Sequence, residues 1–314
     1  MVTQQYLFTL LCAAFISTKC LAQQPSIFLA DPTILADKGK YYLYGTGSPD
    51  GFPFYESVDL KRWKAATHLA FNRGDGYGTQ GFWAPQVFWY KGTYYMAYTA
   101  NEQLAIAKSD SPAGPFKQDS VYTLSGTGKQ IDPFIFFDDD GKIYLYHVKL
   151  QHGNRIFVAE MKPDLSDVIP GTEKECISGT EPWENTAKTD WPVTEGPTVF
   201  KRKGIYYLVY AANDFRNKDY AVGYATATSP RGPWKKYAQS PIISRRNIRQ
   251  NGTGHGDILL DNSGNLYYVL HTHHSADKVA PRATGIIKLK FRDVNGGPAV
   301  LVVDTASFQW LKAE

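Results

Sequence analysis

The chain has 314 residues, of which 43% are hydrophobic and 14% aromatic, enough for one large domain or two small ones with a substantial core. Its 34 basic and 30 acidic side chains give a net charge of +4, and the basic residues cluster only around Arg245 and Arg249. Because nucleic-acid binding needs a concentrated basic stripe, no nucleic-acid partner is expected. Tyrosine favours half-buried strands, and 21 tyrosines with 27 glycines and 18 prolines favour an all-β fold.

The first predicted element is a signal peptide over residues 1–22. Residues 6–16 form an apolar run that has the length of a signal-peptide core and is too short to span a membrane. Cleavage after Ala22 would leave a single domain over residues 23–314. We therefore expect a secreted or periplasmic protein without a membrane span.

Cys20 lies near the end of this segment and offers an alternative, a lipid anchor. The preceding Ser17-Thr18-Lys19 is a poor approach sequence for lipidation, so the sequence favours a chain that is not anchored. Of the three cysteines, Cys176 alone would remain after cleavage. We expect no internal disulfide and a domain that is stabilised by its core.

Five repeated units follow this segment. Each contains a turn glycine and a tyrosine-rich strand, as in Gly39-Lys-Tyr-Tyr-Leu-Tyr and Gly204-Ile-Tyr-Tyr-Leu-Val-Tyr, and the glycines are 49–63 residues apart. An opening strand precedes each glycine, such as Pro133-Phe-Ile-Phe-Phe, and a third strand follows in several units. Several antiparallel strands in a period of this length are typical of β-propeller blades, whereas a Greek-key barrel is the alternative. Without a low-complexity linker, the sequence predicts one five-bladed β-propeller.

One position of each unit carries the candidate chemistry. The residues just before the five opening strands lie 8 or 9 residues before the turn glycines. Because the first strand of each blade lines the central channel of a propeller, these side chains are expected at one end of that channel. They are Asp31, Ala84, Asp132, Glu195 and His255.

Three carboxyls directed at one axis repel one another and raise one another's pKa, which is costly for folding and useful for catalysis. Taken singly, Asp31 or Asp132 before a proline is interpreted as a turn or cap residue, and His255 as a packed histidine. Taken together, a protonated and an ionised carboxyl are what glycoside hydrolysis requires. The pattern therefore predicts an enzyme that hydrolyses glycosidic bonds.

Three segments resemble the signature blocks of glycoside hydrolase family 43. They are Ala30-Asp31-Pro32-Thr33-Ile34, Ile131-Asp132-Pro133-Phe134-Ile135 and Thr194-Glu195-Gly196-Pro197. Trp83-Ala84-Pro85 and Gly254-His255-Gly256 resemble two supporting blocks, so the matches extend over nearly the whole predicted domain. The resemblance implies a five-bladed propeller that hydrolyses with inversion at the anomeric carbon.

The resemblance also implies a role for each carboxyl. Asp31 would be the general base that activates water, Glu195 the general acid that protonates the leaving group, and Asp132 the residue that orients Glu195 and adjusts its pKa. Because inversion needs room for a water molecule, we expect the carboxyls of Asp31 and Glu195 to lie roughly 6.5–9.5 Å apart.

The histidines raise the question of a metal. His255 corresponds to a histidine that in the family often lies beside a water molecule or a calcium ion, so the sequence is compatible with a structural calcium in the channel, although no cofactor is required. His271, His273 and His274 lack a Cys or carboxylate at ligand spacing, which disfavours zinc. Arg282 resembles the family's arginine that contacts the terminal sugar.

Sugar binding also needs flat apolar side chains that pack on the C–H groups of a sugar ring. Trp83, at the predicted channel mouth, is the best candidate, and Phe54 is the second. Phe82, Trp183 and Trp191 lie in predicted loops and are interpreted as loop or core packing.

The substrate stays open within one class, since members of the family act on xylosides and arabinosides. The long polar loop over residues 176–191 would close one end of the channel, which favours an exo-acting β-xylosidase or α-L-arabinofuranosidase over an endo-acting arabinanase or xylanase. A non-catalytic carbohydrate-binding propeller would be expected to lose one of the carboxyls, and a scaffold for protein partners need not gather acids. The fructan hydrolases, which also have five blades, are a further alternative. Their opening Asn-Asp-Pro is not found, because Ala30 stands at the position of the asparagine. A monomer is expected.

Overall fold

Five antiparallel β-sheets are arranged as the blades of a propeller in the computed structural model, which describes residues 27–314. The predicted all-β, five-bladed fold is confirmed. The predicted signal peptide, residues 1–22, and the alternative anchor Cys20 lie outside the described residues. Within residues 27–314, no helix is long and apolar enough to cross a membrane.

The strands are numbered in chain order. Blade 1 and the two-stranded ribbon beside it, formed by the third and sixth strands, contain β1 (Ala30–Asp37), β2 (Lys40–Thr46), β3 (Gly51–Phe52), β4 (Phe54–Ser57), β5 (Arg62–Ala65) and β6 (Phe71–Asn72). Blade 2 contains β7 (Trp83–Tyr90), β8 (Thr93–Ala100) and β9 (Gln103–Ser109). Blade 3 contains β10 (Gln130–Phe137), β11 (Ile143–Leu150), β12 (Asn154–Met161) and β13 (Lys174–Ile177).

The remaining strands form two blades and a short closing strand. Blade 4 contains β14 (Thr194–Arg202), β15 (Ile205–Ala212), β16 (Ala221–Ala227) and β17 (Lys235–Lys236). Blade 5 contains β18 (Gly254–Leu260), β19 (Leu266–Thr272), β20 (Ala283–Arg292) and β21 (Val300–Trp310), and β22 (Lys312–Ala313) follows it. Two short helices lie in the connections, a 3₁₀ helix over Pro182–Glu184 and α1 over Arg245–Ile248.

Hairpin loops of two lengths join the first and second strands of the blades. In blades 1, 2 and 4 the loop has two residues with positive φ, Lys38-Gly39, Lys91-Gly92 and Lys203-Gly204. Such loops match the twist of the strands that they join. Blades 3 and 5 have longer loops, residues 138–142 and 261–265. The distance along the chain from turn glycine to opening strand therefore differs between blades.

The hydrophobic core is divided into five clusters, one between each pair of adjacent blades. The tyrosine-rich strands of the repeat supply much of the packing, as Tyr44 does between blades 1 and 2. Two of these tyrosines also fasten adjacent blades: the hydroxyl of Tyr44 donates to the carbonyl of Pro112, and that of Tyr146 donates to the carbonyl of Pro230. Both prolines belong to copies of a Ser-Pro-x-Gly-Pro loop, so the repeated sequence makes a repeated contact.

The ring closes between blades 5 and 1. Ile34 and Trp63 of blade 1 pack with Val269 of blade 5 in one cluster. At the outer edge β22 runs parallel to β5, and at the inner end the N–H of Thr284 donates to the carbonyl of Ile27. Both ends of the described chain thus join blade 1 to blade 5, which holds the five opening strands around one channel.

Candidate active site

Every opening strand contains a β-bulge at the same place. Two residues of the strand lie opposite one residue of the next strand, as Asp31-Pro32 lie opposite Gly45. The first residue of each bulge has a φ between 36° and 59°, and the second is proline in four of the five blades. Proline is tolerated because a bulged residue makes no ladder hydrogen bond. The first residues are Asp31, Ala84, Asp132, Gly196 and His255.

Glu195 lies one residue before the bulge, so the predicted equivalence of Glu195 with Asp31 and Asp132 is wrong. The reason is the length of the hairpin loops. In blades 1, 2 and 4, which have two-residue loops, the bulge begins eight residues before the turn glycine, and in blades 3 and 5 it begins nine residues before it. Blade 4 therefore places Gly196 at the shared position. A Cβ there would lie 2.6 Å from the ring of His255, so glycine is required.

Asp31 is buried among hydrogen-bond donors and positive charge. The hydroxyl of Thr46 donates to Oδ2 at 2.7 Å, and Nη1 of Arg282 donates to Oδ1 at 3.0 Å. The backbone N–H of Asp31 donates to Nδ1 of His271 at 3.1 Å. Burial raises the pKa of Asp31, but the charge of Arg282, followed by His255 and His271, outweighs it and holds the pKa well below its usual range. The site therefore keeps Asp31 ionised.

Glu195 is buried to the same extent, but no cation among residues 27–314 lies at hydrogen-bond distance from it. The hydroxyl of Tyr220 donates to Oε1 at 2.8 Å, and the side-chain amide of Asn154 donates to Oε2 at 3.0 Å. Burial raises the pKa of Glu195 to about 7, and the negative charge of Asp31 adds to this, although the bonds from Tyr220 and Asn154 oppose it. Near neutral pH the site thus keeps a large fraction of Glu195 protonated.

Asp132 interacts electrostatically with both of these carboxyls and is also buried. Its Oδ2 accepts the N–H of Gly196 at 3.1 Å and lies 3.8 Å from Nδ1 of His255, which itself lies 3.4 Å from Oδ1 of Asp31. Burial, followed by the negative charges of Glu195 and Asp31, raises the pKa of Asp132 well above its usual value. Because its bond to Gly196 adjoins Glu195 in the chain, Asp132 is placed to orient that residue.

A second group of site residues lies at the start of the third strand in blades 2 to 5. Glu102 precedes β9, Asn154 begins β12, Tyr220 precedes β16 and Arg282 precedes β20. Three of them line the site cavity, and Tyr220 holds Glu195. Only Arg282 was predicted from the sequence. The signal for the other three is the repeat itself, since the third strands recur in the same frame as the opening strands.

The carboxyls form part of the wall of an open cavity of about 620 Å³. Trp83 lies in this wall with 37% of its surface exposed, which agrees with its predicted position at the channel mouth. Trp191, expected in loop packing, also lines the cavity and is 48% exposed. Arg282 and His255 line it as well. The cavity therefore combines acids with two accessible indole faces, the surfaces on which sugar rings pack.

Phe54, predicted as a sugar contact, lies in the hydrophobic core instead. It is 2% exposed and its ring stacks on that of Tyr44, with centroids 5.9 Å apart, because β4 directs this side chain towards blade 2. Phe82 packs in the same cluster. Trp183 packs on Tyr210, with ring centroids 5.8 Å apart. The last two agree with the packing interpretation.

The channel next to the carboxyls offers few groups for a metal. Among residues 27–314, no cluster of three His, Cys, Asp or Glu side chains could hold a metal ion. Deeper in the channel, both carboxylate oxygens of Asp257 already accept hydroxyl groups, from Thr33 and Thr198. Calcium takes six to eight oxygen ligands. The residues around His255 therefore do not fit a directly coordinated calcium ion.

Comparison with known proteins identifies the family. The model of glycosyl hydrolases family 43 matches residues 25–295, which include all the opening and third strands. A crystal structure titled as an endo-1,4-β-xylanase from Bacteroides thetaiotaomicron is 37% identical, with a TM-score of 0.85, over 91% of this chain and 97% of that one.

Two relatives with names of different activities are more distant. The extracellular endo-α-(1→5)-L-arabinanase 1 of Bacillus subtilis is 27% identical over 85% of this chain and 85% of its own length. The β-D-galactofuranosidase xynD of Aspergillus niger is 26% identical over 84% of this chain and 80% of its own length. The activities named for these three proteins all hydrolyse a glycosidic bond, and they differ in the sugar.

Proposed function

The chain belongs to glycosyl hydrolases family 43 and is a glycosidase, and we propose that it inverts the anomeric carbon of xylose- or arabinose-containing plant polysaccharides or oligosaccharides. One observation carries the proposal: a single cavity joins a carboxyl whose pKa is held low, Asp31, to a carboxyl whose pKa is raised to about 7, Glu195. Opposite shifts of this kind assign the base and the acid of a glycosidase. The relatives named as a xylanase and an arabinanase support the sugar class.

The proposed reaction is a single displacement. The ionised carboxylate of Asp31 accepts a proton from a water molecule, whose oxygen attacks the anomeric carbon. Glu195 gives its proton to the glycosidic oxygen, and the bond from that oxygen to the anomeric carbon breaks. Asp132 orients Glu195 through the backbone of Gly196, and the repulsion between the two carboxyls, which raises the pKa of Asp132, couples their protonation. Both transfers use side chains of the chain itself, so the reaction as proposed requires no cofactor.

Substrate binding is assigned to the cavity wall. Trp83 offers an exposed indole face to a sugar ring, and Arg282 has donors for sugar hydroxyls beside Asp31. His255 lies between Asp31 and Asp132, where it supports the base and not the leaving group. These residues surround the reacting carbon in the proposal, and each is expected to affect KM as well as kcat.

Exo action is the proposed mode. The loop over residues 178–193 carries Trp191 into the cavity wall, and Thr186 ties the loop to blade 4 through two hydrogen bonds to Asn213, at 2.8 and 2.9 Å. A firmly held wall favours a pocket that accepts a chain end. Endo action is the second candidate, favoured by the 37% identity to the structure titled as an endo-1,4-β-xylanase.

Three assays test this function. Nitrophenyl xyloside and arabinofuranoside are compared with linear arabinan and xylan, and exo action predicts release of single sugars. Internal cutting of the polymers without activity on the nitrophenyl glycosides would refute exo action and support endo action. Proton NMR of the first product should show the anomer opposite to that of the substrate, whereas a retained anomer would refute the roles of Asp31 and Glu195.

The alternative of a non-catalytic carbohydrate-binding propeller has its own test. Glu195→Ala should abolish hydrolysis of a natural oligosaccharide while binding of that oligosaccharide stays measurable by calorimetry. Unchanged hydrolysis in this variant would remove Glu195 from the mechanism. We also propose a secreted or periplasmic monomer without a nucleic-acid partner, which fractionation of the producing cell and light scattering test; the arabinanase relative is named as extracellular.

A further inference from the structure

We propose that Asn154 is a positioning residue for Glu195 and that Trp191, which also forms the cavity wall, fixes the orientation of the Asn154 amide. The inference rests on the proposed role of Glu195 as the general acid. It adds that a side chain of the substrate cavity influences how this acid is oriented and ionised. Trp191, Asn154 and Glu195 form a continuous chain of two hydrogen bonds, which we name the Trp191 relay.

The direction of the relay follows from the donors. The indole N–H of Trp191 is a donor only, so it must meet the oxygen of the Asn154 amide, Oδ1, which it does at 2.9 Å. The amide nitrogen Nδ2 is then left facing Glu195 and donates to Oε2 at 3.0 Å. Without the indole N–H, the amide could flip and direct Oδ1 at Oε2, which would disfavour the ionised carboxylate and favour the protonated one. Trp191 therefore selects the orientation in which Asn154 supports Glu195.

The backbone around the relay holds its two ends together. The N–H of Asn154 donates to the carbonyl of Pro192 at 2.9 Å, and the hydroxyl of Thr194 donates to the carbonyl of Asn154 at 3.0 Å. The approach of the two segments is close enough that a Cβ at Gly153 would lie 2.5 Å from the Pro192 carbonyl oxygen. These contacts hold the loop that carries Trp191 against the first residue of β12.

The two oxygens of Glu195 are consequently held in different ways. Oε1 accepts from Tyr220, which is fully buried and out of reach of a ligand. Oε2 accepts from Asn154, whose own partner Trp191 is 48% exposed in the substrate cavity. A sugar ring that packs on the indole of Trp191 would hold the indole plane and with it the amide. Occupancy of the cavity is therefore coupled to the acid through Oε2 alone.

The relay also changes the ionisation of the acid. Burial raises the pKa of Glu195, and the hydrogen bond from Asn154 lowers it again because it favours the ionised form. Loss of this bond is expected to raise the pKa by roughly one unit, the equivalent of one hydrogen bond to a charged group. Since Glu195 must be protonated to act, activity would then persist to higher pH while proton donation became less well aimed.

The test compares the pH dependence of kcat/KM in Asn154→Ala, Trp191→Phe and the double variant. In Asn154→Ala the basic limb should move to higher pH, and kcat should fall about tenfold or more for a substrate with a poor leaving group and less for an activated aryl glycoside. Trp191→Phe keeps the ring but removes the N–H, and its basic limb should move in the same direction. The double variant should show no larger displacement than Asn154→Ala.

Trp83→Phe is the matched control, since Trp83 is another exposed indole of the same cavity. It should change KM without moving the basic limb. The relay is overturned if Trp191→Phe keeps the wild-type profile, if the two displacements add in the double variant, or if Trp83→Phe moves the limb equally. Should Asn154→Ala fail to fold, Trp191→Phe decides alone. Glu195→Gln with the wild-type kcat on a natural oligosaccharide would instead refute the proposed function, so the two failures are distinguishable.

Discussion

The two sides of the cavity bury a carboxyl to the same depth and give it opposite properties. Asp31, at the junction of blades 1 and 5, is 7% exposed, and Glu195, at the junction of blades 3 and 4, is 8% exposed. The pKa of the first is held low and that of the second is raised to about 7. Burial cannot explain the difference between the two pKa values. The neighbours explain it, because Asp31 lies beside the Arg282 cation whereas Glu195 accepts hydrogen bonds from neutral donors. Neighbours, and not depth, decide which carboxyl keeps its proton near neutral pH.

The strongest way to break this comparison is to remove the charge on the Asp31 side. Asp31→Asn keeps the shape of the side chain and removes the base, so kcat should fall by about 10³–10⁴ for every substrate, whatever its leaving group. Asp214→Asn is the control, because Asp214 lines the same cavity and pairs with exposed Arg216. It is expected to lose less than about tenfold. Equal losses in the two variants would contradict the assignment of Asp31.

Removal of the acid should give a loss that depends on the leaving group. Glu195→Gln keeps the shape of the side chain and one of its two acceptor oxygens but cannot give up a proton, so kcat should fall by about 10²–10⁴ for a natural oligosaccharide. An activated aryl glycoside departs without protonation and should be affected far less. Rates for a series of aryl glycosides check this, and an equal loss along the series would show that Glu195 is not the acid.

A smaller change should make the two sides more alike. Arg282→Gln removes the cation that lowers the pKa of Asp31, so this pKa should rise, and the acidic limb of kcat/KM should move to higher pH, because Asp31 must be ionised to act. Arg216→Gln is the matched control, since Arg216 lies in the same cavity but pairs with Asp214. A limb that moves in both variants, or in neither, would count against Arg282 as the cause.

The smallest effect is expected from metal removal. The residues around His255 do not fit a directly coordinated calcium ion, and the roles proposed for Asp31 and Glu195 need no metal. Treatment with EDTA should therefore leave kcat/KM and both pH limbs unchanged, and added calcium should not alter them. A loss with EDTA that calcium restores would show that a channel ion supports His255 and Asp31.

The blades could be predicted from the sequence because each repeats a local rule. A turn glycine and an aromatic strand recur in five units along the chain. This repeat predicts a propeller without any knowledge of contacts between distant residues. Asp31 and Asp132 can be found because each lies just before an opening strand, eight or nine residues before its turn glycine. The structure shows that an Asp-Pro bulge begins at both positions. Trp83 can be found because it directly precedes Ala84, the residue of blade 2 that is predicted at the channel mouth.

The remaining site residues depend on details that counting from the glycine does not capture. Glu195 was assigned the position of Gly196 because the two-residue loop of blade 4 was not distinguished from the longer loop of blade 3. Asn154 and Tyr220 contact Glu195 only through tertiary packing. Their positions at the start of third strands can nevertheless be read from the repeat. Phe54 has the residue type of a sugar platform, and its burial is decided by which neighbouring blade its strand faces.

Titration of the individual carboxyl carbons by NMR tests the central claim most directly, because the claim is that the two sides of one cavity hold opposite protonation states. With carbon-labelled Asp and Glu, and with Asp31→Asn and Glu195→Gln to assign the signals, Glu195 should titrate near the pKa of about 7. Asp31 should stay ionised down to about pH 3, below the range of an ordinary aspartate. Two carboxyls that both titrate near pH 4 would contradict the account.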